Sequence, residues 1–356
     1  MKILCLIESL VSGGAERQIA GLASLLKGRG HEVAVWTYYP QDFYRKQLDE
    51  AGVGYRCVAK ARNKLVRIPV LLREARQWKP DAVIAYLPSV TKMACLMKMF
   101  GLKSKLIVSE RNSSQRYGLT ERIRFFLYRL EADWVVPNSH MQERFIKEHC
   151  PGLTNRVRTI TNLIDTDFFS PATKPKDEKL LRMVCAARVI PQKNVFRFID
   201  SVADLRNRGV QLKIDWFGCA DGIYAEQCLE KIMENNLTDM IEFRGVTNDI
   251  RDEYRKADVF CLPSLREGFP NVICEAMSCG LPVLCSRVCD NADIVMDGVS
   301  GLMFDPNDKS DITDKITTFI QMSCKDRKLM GDAGRQRALE LFSREHFINA
   351  YEDLLK

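Results

Sequence analysis

The chain alternates throughout between short apolar, strand-like runs and longer stretches with helical spacing. In the first half the runs fall at residues 3–7, 33–37, 82–87, 106–109, 134–137 and 157–161, with helical stretches such as 16–26 and 66–78 between them. In the second half they fall at 183–187, 214–218, 241–244, 259–263 and 283–286. Continuously apolar strands separated by helices are covered on both faces, and that implies parallel sheets. Residues 169–177, with Pro171, Pro175 and mixed charges, read as a linker. An α/β chain of two Rossmann-like domains facing across a cleft is therefore expected, at 1–172 and 178–342. Ligands of such sheets bind beyond the carboxyl ends of the strands, so polar residues that follow strands carry the functional reading.

Composition narrows the classes. A length of 356 residues suits two domains, and 46% apolar residues can fill two cores. No segment has the apolar length of a membrane span, and the start shows no cleavage signal, so a cytoplasmic location is expected. The thirteen cysteines are odd in number and form no C-x-x-C, and the four histidines are scattered. They read as buried thiols in a reducing compartment rather than as disulfides or a metal site. Charge is uneven: residues 1–172 hold 27 Lys+Arg and 16 Asp+Glu, net +11, and the remainder 26 and 30, net −4, which sum to +7. A one-sided basic field points to an anionic partner. No nucleic-acid motif is present, so an anionic membrane surface is the better candidate. Arg122, Arg124, Phe125, Phe126, Tyr128 and Arg129 mix aromatic and basic side chains at helical spacing, as interfacial helices do. The segment alone fits an ordinary packed helix equally well; the charge asymmetry favours the membrane.

Residues 266–280 read Arg-Glu-Gly-Phe-Pro-Asn-Val-Ile-Cys-Glu-Ala-Met-Ser-Cys-Gly, between two strand-like runs. Glu267 lies in a loop and Glu275 in a short helix. Pro270 suits the first helical turn, where an amide is unpaired in any case. Amides at a helix start can hold a diphosphate, and an acid at each end can bind sugar hydroxyls. Gly268, Phe269, Pro270 and Asn271 would line that cradle. Gly13 and Gly14 follow the first strand and permit close backbone approach to an anion, without the G-x-G-x-x-G pattern of a dinucleotide site.

The two acids resemble the E-x7-E signature of retaining GT-B glycosyltransferases of family 4. The likeness extends to Gly13-Gly14, to Arg188 and Lys193 where that family carries a basic pair, and to 162–171 as its interdomain connector. It implies that Arg188 and Lys193 stabilise a departing nucleoside diphosphate without a metal, that Glu267 contacts the donor sugar, and that Glu275 grips the ribose. It also implies a last helix, 343–356, that returns to the first domain. Gly245 and Val246 would line the base pocket, an assignment balanced evenly against a plain strand end. Asp165 and Asp167 mimic a D-x-D metal motif, but stand in the connector and read as structural. Many relatives carry a histidine where residues 86–91 have none; Ser89 or Thr91 could take its polar role. Glu110, Arg111 and Asn112 resemble a motif of enzymes that extend lipid-linked oligosaccharides, and could face acceptor or donor sugar. His140 could point into the cleft, with a helix-cap role as its alternative. The expected activity is transfer of a hexose or N-acetylhexosamine from a nucleotide-sugar, with UDP as the expected carrier, to a lipid-linked glycan in O-antigen or capsule assembly. The donor is a substrate; no cofactor and no essential metal are expected. A nucleotide-sugar epimerase of the same fold and a non-catalytic sugar-nucleotide-binding protein are the alternatives.

Overall fold

The computed structural model describes residues 1–111, 116–172 and 180–356. Two compact units form: Met1–Leu163 with Arg344–Lys356, and Ile164–Ser343. The first runs β1 (Lys2–Leu6), α1 (Gly14–Gly28), β2 (Glu32–Thr37), α2 (Arg45–Glu50), β3 (Gly54–Cys57), α3 (Arg67–Trp78), β4 (Ala82–Tyr86), α4 (Pro88–Met99), β5 (Lys105–Glu110), α5 (Leu119–Glu131), β6 (Trp134–Pro137) and α6 (His140–His149). The second runs β7 (Arg182–Ala186), α7 (Val195–Asn207), β8 (Lys213–Phe217), α8 (Ile223–Glu234), β9 (Ile241–Gly245), α9 (Ile250–Lys256), β10 (Val259–Leu262), α10 (Asn271–Ser278), β11 (Val283–Ser286), α11 (Asn291–Ile294), β12 (Gly301–Phe304), α12 (Lys309–Gln321) and α13 (Cys324–Phe342). The last helix, α14 (Arg344–Leu355), packs Phe347, Ile348, Tyr351 and Leu354 into the core of the first unit.

Each unit holds a parallel sheet of six strands. The orders are β3-β2-β1-β4-β5-β6 and β12-β11-β10-β7-β8-β9. The strand order reverses direction between β1 and β4 in the first sheet, and between β7 and β10 in the second. At such a reversal the connecting helices leave to opposite faces, which opens a crevice beyond the carboxyl ends of the two strands.

The expected strand at 157–161 does not form; Val157 makes a single bridge to Val135. Strands β3 and β12, both at sheet edges, were not expected. The division between units falls at Leu163/Ile164, earlier than the expected 172. Ile164 and Phe169 bury in the second core, and Arg335 Nη1 donates to the carbonyls of Thr166, Phe169 and Ser278 at 2.7–2.9 Å. These contacts tie the connector to the second unit. All thirteen cysteines are free thiols, most of them buried. Among the described residues, no helix is long and apolar enough to cross a membrane.

Candidate active site

The reversal between β7 and β10 gathers the charged residues of the second unit. After β7 the chain passes through Arg188 and a single 3₁₀ turn, Pro191–Lys193, before α7. After β10 it passes through Leu265, Arg266 and Glu267 before α10. The two loops are laced together: Leu265 N–H donates to the Gln192 carbonyl at 2.9 Å, and Gln192 Nε2 donates to the Arg266 carbonyl at 3.0 Å. That lacing sets Lys193 Nζ 2.6 Å from Glu267 Oε1, with both side chains largely out of water. Arg188 is exposed and makes no ion pair among the described residues. The site thus holds one cation committed to a carboxylate and one open to an incoming anion.

The start of α10 lies beside that pair. Pro270 occupies the N-cap rather than the first helical turn. Asn271 N–H turns back to the Phe269 carbonyl at 3.0 Å, while among the described residues the amides of Gly268 and Phe269 have no acceptor. The Phe269 ring meets Phe342 edge-on at 5.8 Å in the hydrophobic core, so its backbone alone can serve a ligand. Glu275 is buried within α10. Unpaired amides next to fixed positive charge are an arrangement that can hold a diphosphate, because such dipoles and charges need no reorganisation to meet it.

Two supports of this site escaped the sequence. Gly218 ends β8 with φ +143°, and a Cβ there would lie 2.2 Å from the Ala187 carbonyl oxygen. Only glycine lets β8 pass so close beneath the Arg188 loop. The Trp216 indole N–H then pins the same carbonyl at 2.7 Å. Cys289 Sγ accepts the Glu267 N–H at 3.4 Å, and burial pushes its thiol upward, which keeps it neutral. The Gly-Cys-Ala-Asp-Gly run after β8 was the legible signal for the first; nothing in the sequence marked the second. Gly245 has φ +71° and, with Val246, Cys219, Asp221 and Phe243, lines a cavity of about 670 Å³ against α8. Asp165 Oδ1 accepts the Phe168 N–H at 3.1 Å, a turn-forming contact in the connector.

In the first unit Gly13 is the N-cap of α1, and the Glu16 carboxylate folds over it where a Cβ would stand. Gly14 has open space on its Cβ side. Ser89 is exposed and donates to Glu8 Oε1. Thr91 is not available to a sugar: it is buried, and its hydroxyl lies 2.6 Å from the Tyr128 hydroxyl. Glu110 is buried as well, accepting from Tyr128 and lying 3.1 Å from Arg124 Nε. Arg111 is spent on the scaffold. Its guanidinium donates to Asn162 Oδ1 at 3.0 Å and to the Tyr86 hydroxyl at 2.8 Å, and it also reaches Tyr351 of α14. Asn112 lies outside the described residues. His140 is exposed at the first turn of α6, and the cap is Ser139, whose hydroxyl accepts the Gln142 N–H at 3.2 Å.

The proposed membrane face is corrected by half. Arg124, Phe125 and Tyr128 point into the core, because α5 must cover β5 and neutralise Glu110. The outward face carries Leu119, Ile123, Phe126 and Leu130, at 72%, 50%, 58% and 50% exposure, flanked by exposed Arg122 and Arg129.

Residues 12–168 match the model of glycosyltransferase family 4, and residues 166–337 that of the glycosyl transferases group 1. The chain belongs to the family 4 glycosyltransferases. This glycosyltransferase is 27% identical, over 94% of its length and 92% of the relative's, to a Campylobacter jejuni enzyme named GalNAc-alpha-(1->4)-GalNAc-alpha-(1->3)-diNAcBac-PP-undecaprenol alpha-1,4-N-acetyl-D-galactosaminyltransferase. It is 27% identical, over 49% of its length and 50% of the relative's, to an Escherichia coli UDP-Gal:alpha-D-GlcNAc-diphosphoundecaprenol alpha-1,3-galactosyltransferase. Its fold is that of Anabaena HepE in complex with UDP, at a TM-score of 0.85 and 19% identity, covering 100% of this chain and 99% of that one. That likeness identifies the two-domain fold as GT-B.

Proposed function

We propose that the protein transfers a hexose or N-acetylhexosamine from a UDP-sugar, with retained α configuration, to a glycan carried on a lipid diphosphate during O-antigen or capsule assembly. The observation that carries this reading is the Lys193–Glu267 pair set beside Arg188 and the unpaired amides before α10. The relatives named for undecaprenyl-diphosphate glycans support the acceptor class, and the Anabaena structure with UDP-glucose supports the donor class. As the sugar–phosphate bond breaks, charge develops on the β-phosphate, and Arg188 and Lys193 stabilise it there. Glu267 holds the sugar and Glu275 the ribose. The acceptor hydroxyl attacks from the face the diphosphate leaves, so configuration is kept without a covalent enzyme intermediate. The deciding experiment incubates the protein with UDP-sugars, with and without a lipid-linked glycan, and follows products by mass spectrometry and anomeric NMR. An α-linked extended glycan supports the proposal. A changed sugar on UDP without acceptor marks an epimerase, and no product at all a binding protein.

On this reading Arg188 and Lys193 supply the positive charge that the leaving diphosphate needs, and Asp165 accepts a turn-forming hydrogen bond from Phe168 N–H. Activity is therefore expected to survive EDTA; loss on chelation, restored by Mg²⁺ or Mn²⁺, would overturn this.

The outward face of α5 is proposed to dock on the anionic inner face of the cytoplasmic membrane. Leu119, Ile123, Phe126 and Leu130 recur at helical spacing as an apolar stripe, and Arg122 and Arg129 flank it. Basic residues near anionic lipid contribute roughly 1 kcal/mol each, so losing two weakens partitioning about thirtyfold. Co-sedimentation with phosphatidylserine-containing vesicles should fall by that order in Arg122→Ser/Arg129→Ser and also in Ile123→Ser/Phe126→Ser. Unchanged sedimentation of both would reject the docking face.

A further inference from the structure

The first unit has its own strand-order reversal, between β1 and β4, and a carboxylate stands in it. Glu8 follows the end of β1, and Ser89 opens α4 just after β4. Tyr38 follows β2, the other neighbour of β1. The backbone fixes Glu8 firmly: its carbonyl accepts the N–H groups of Tyr38 at 3.1 Å and Tyr39 at 2.9 Å. Its side chain accepts the Ser89 hydroxyl, and the Tyr38 phenol lies beside both. Tyr38 is itself locked, buried to 1% exposure beneath the Arg67 guanidinium, which sits 4.1 Å over its ring. Arg67 is committed elsewhere, donating from Nε to the Ala61 carbonyl at 2.7 Å and from Nη2 to the Arg62 carbonyl at 3.1 Å.

Glu8 is half-buried, and among the described residues no Lys, Arg or His lies within 4 Å of its carboxylate. A carboxylate withdrawn from water without a counter-charge weakens a fold rather than strengthening it. Its two oxygens offer about four acceptor positions, and the Ser89 hydroxyl uses only one of them. The remainder suits a ligand that brings hydroxyl donors and no charge of its own.

We infer that Glu8, oriented by Ser89 and Tyr38, binds a hydroxyl of the acceptor sugar at the strand-order reversal of the first unit. Glu8 touches the substrate in this assignment, and Ser89 and Tyr38 are positioning residues. Burial together with the Glu8 charge raises the Tyr38 phenol, which keeps it a hydrogen-bond donor. The inference rests on the proposed transfer to a glycan acceptor.

The test uses the full chain, UDP-N-acetylgalactosamine and UDP-galactose as donors, and short-prenyl diphosphates carrying N-acetylgalactosamine or N-acetylglucosamine as acceptors. A hydrogen bond to a charged group justifies a roughly ten- to hundredfold rise in acceptor KM for Glu8→Gln. Ser89→Ala should shift the same constant in the same direction by less. UDP affinity, read by calorimetry, should be unchanged in both variants, which also reports that they are folded. An unchanged acceptor KM in Glu8→Gln overturns the inference, as does a matching loss of UDP affinity. A wild type that splits UDP-sugar but glycosylates neither acceptor instead removes the proposed function, and the inference with it.

Discussion

Alanine at Arg188 will lower turnover about a hundredfold and leave the fold untouched. The side chain is exposed and has no ion pair among the described residues, so its removal strands no partner. Losing one fixed charge aimed at a departing oxyanion commonly costs on the order of 3 kcal/mol of transition-state stabilisation, which is the hundredfold. Alanine at Lys193 should match that loss and add a second effect. Glu267, with its side chain largely buried, would lose a partner at 2.6 Å. A buried acceptor left unsatisfied costs about 1–3 kcal/mol, so Lys193→Ala should also unfold earlier than wild type. Adding Glu267→Gln removes the stranded charge and should restore the unfolding temperature without restoring turnover. Stopped assays with UDP-sugar and thermal melts of the three variants check this. Near-normal turnover in both single variants would show that the pair stabilises no leaving group.

The fold was legible where burial dictated the pattern. Strands β1, β2, β4, β5, β7 and β8 lie inside their sheets and read as apolar runs because helices cover both faces. Two of the four edge strands, β3 and β12, were missed, while β6 and β9 were expected. β3, Gly-Tyr-Arg-Cys, is half exposed and lacks any apolar run. At 157–161 the alternation looked equally strand-like, yet the chain there makes one bridge to β6, with Arg158 N–H donating to the Val135 carbonyl and Ile160 N–H to the Pro137 carbonyl, and then turns towards the connector. The E-x7-E segment announced Glu267 and its helix because loop chemistry is local. Lys193 could be paired with it only through the topology that makes β7 and β10 neighbours. Residues 119–131 show the opposite case. Arginine and aromatic residues occur on both faces of α5, so spacing alone could not say which face turns inward. A single buried acid on β5 decides it. Glu110, read as a sugar contact, instead draws Arg124 inward and leaves Ile123 and Phe126 outside.

That buried pair supports the second large prediction. Glu110 is 1% exposed and Arg124 3%, with Nε 3.1 Å from Oε1. Breaking a buried ion pair by deleting one partner costs about 3–5 kcal/mol, because the remaining charge keeps its desolvation penalty and loses its compensation. Arg124→Met, which retains the stem volume, should therefore lower the denaturant midpoint sharply at pH 8. The sign of the pH dependence follows from Glu110. Burial already raises its carboxyl above the usual range, and Arg124 acts against that rise. Without Arg124 the folded-state pKa climbs further above the unfolded value. The native state then holds a proton that the unfolded state has lost, so stability falls as pH rises through that window. The deficit of Arg124→Met relative to wild type should shrink as pH is lowered towards 5, where a neutral Glu110 needs no counter-charge. Glu110→Gln/Arg124→Met should be more stable than Arg124→Met at pH 8 and lose most of its pH dependence. Denaturant melts of the three proteins at pH 5 and pH 8 measure all of this. A deficit of the same size at both pH values would mean that Arg124 serves by packing, and that the orientation of α5 is set by its apolar face alone.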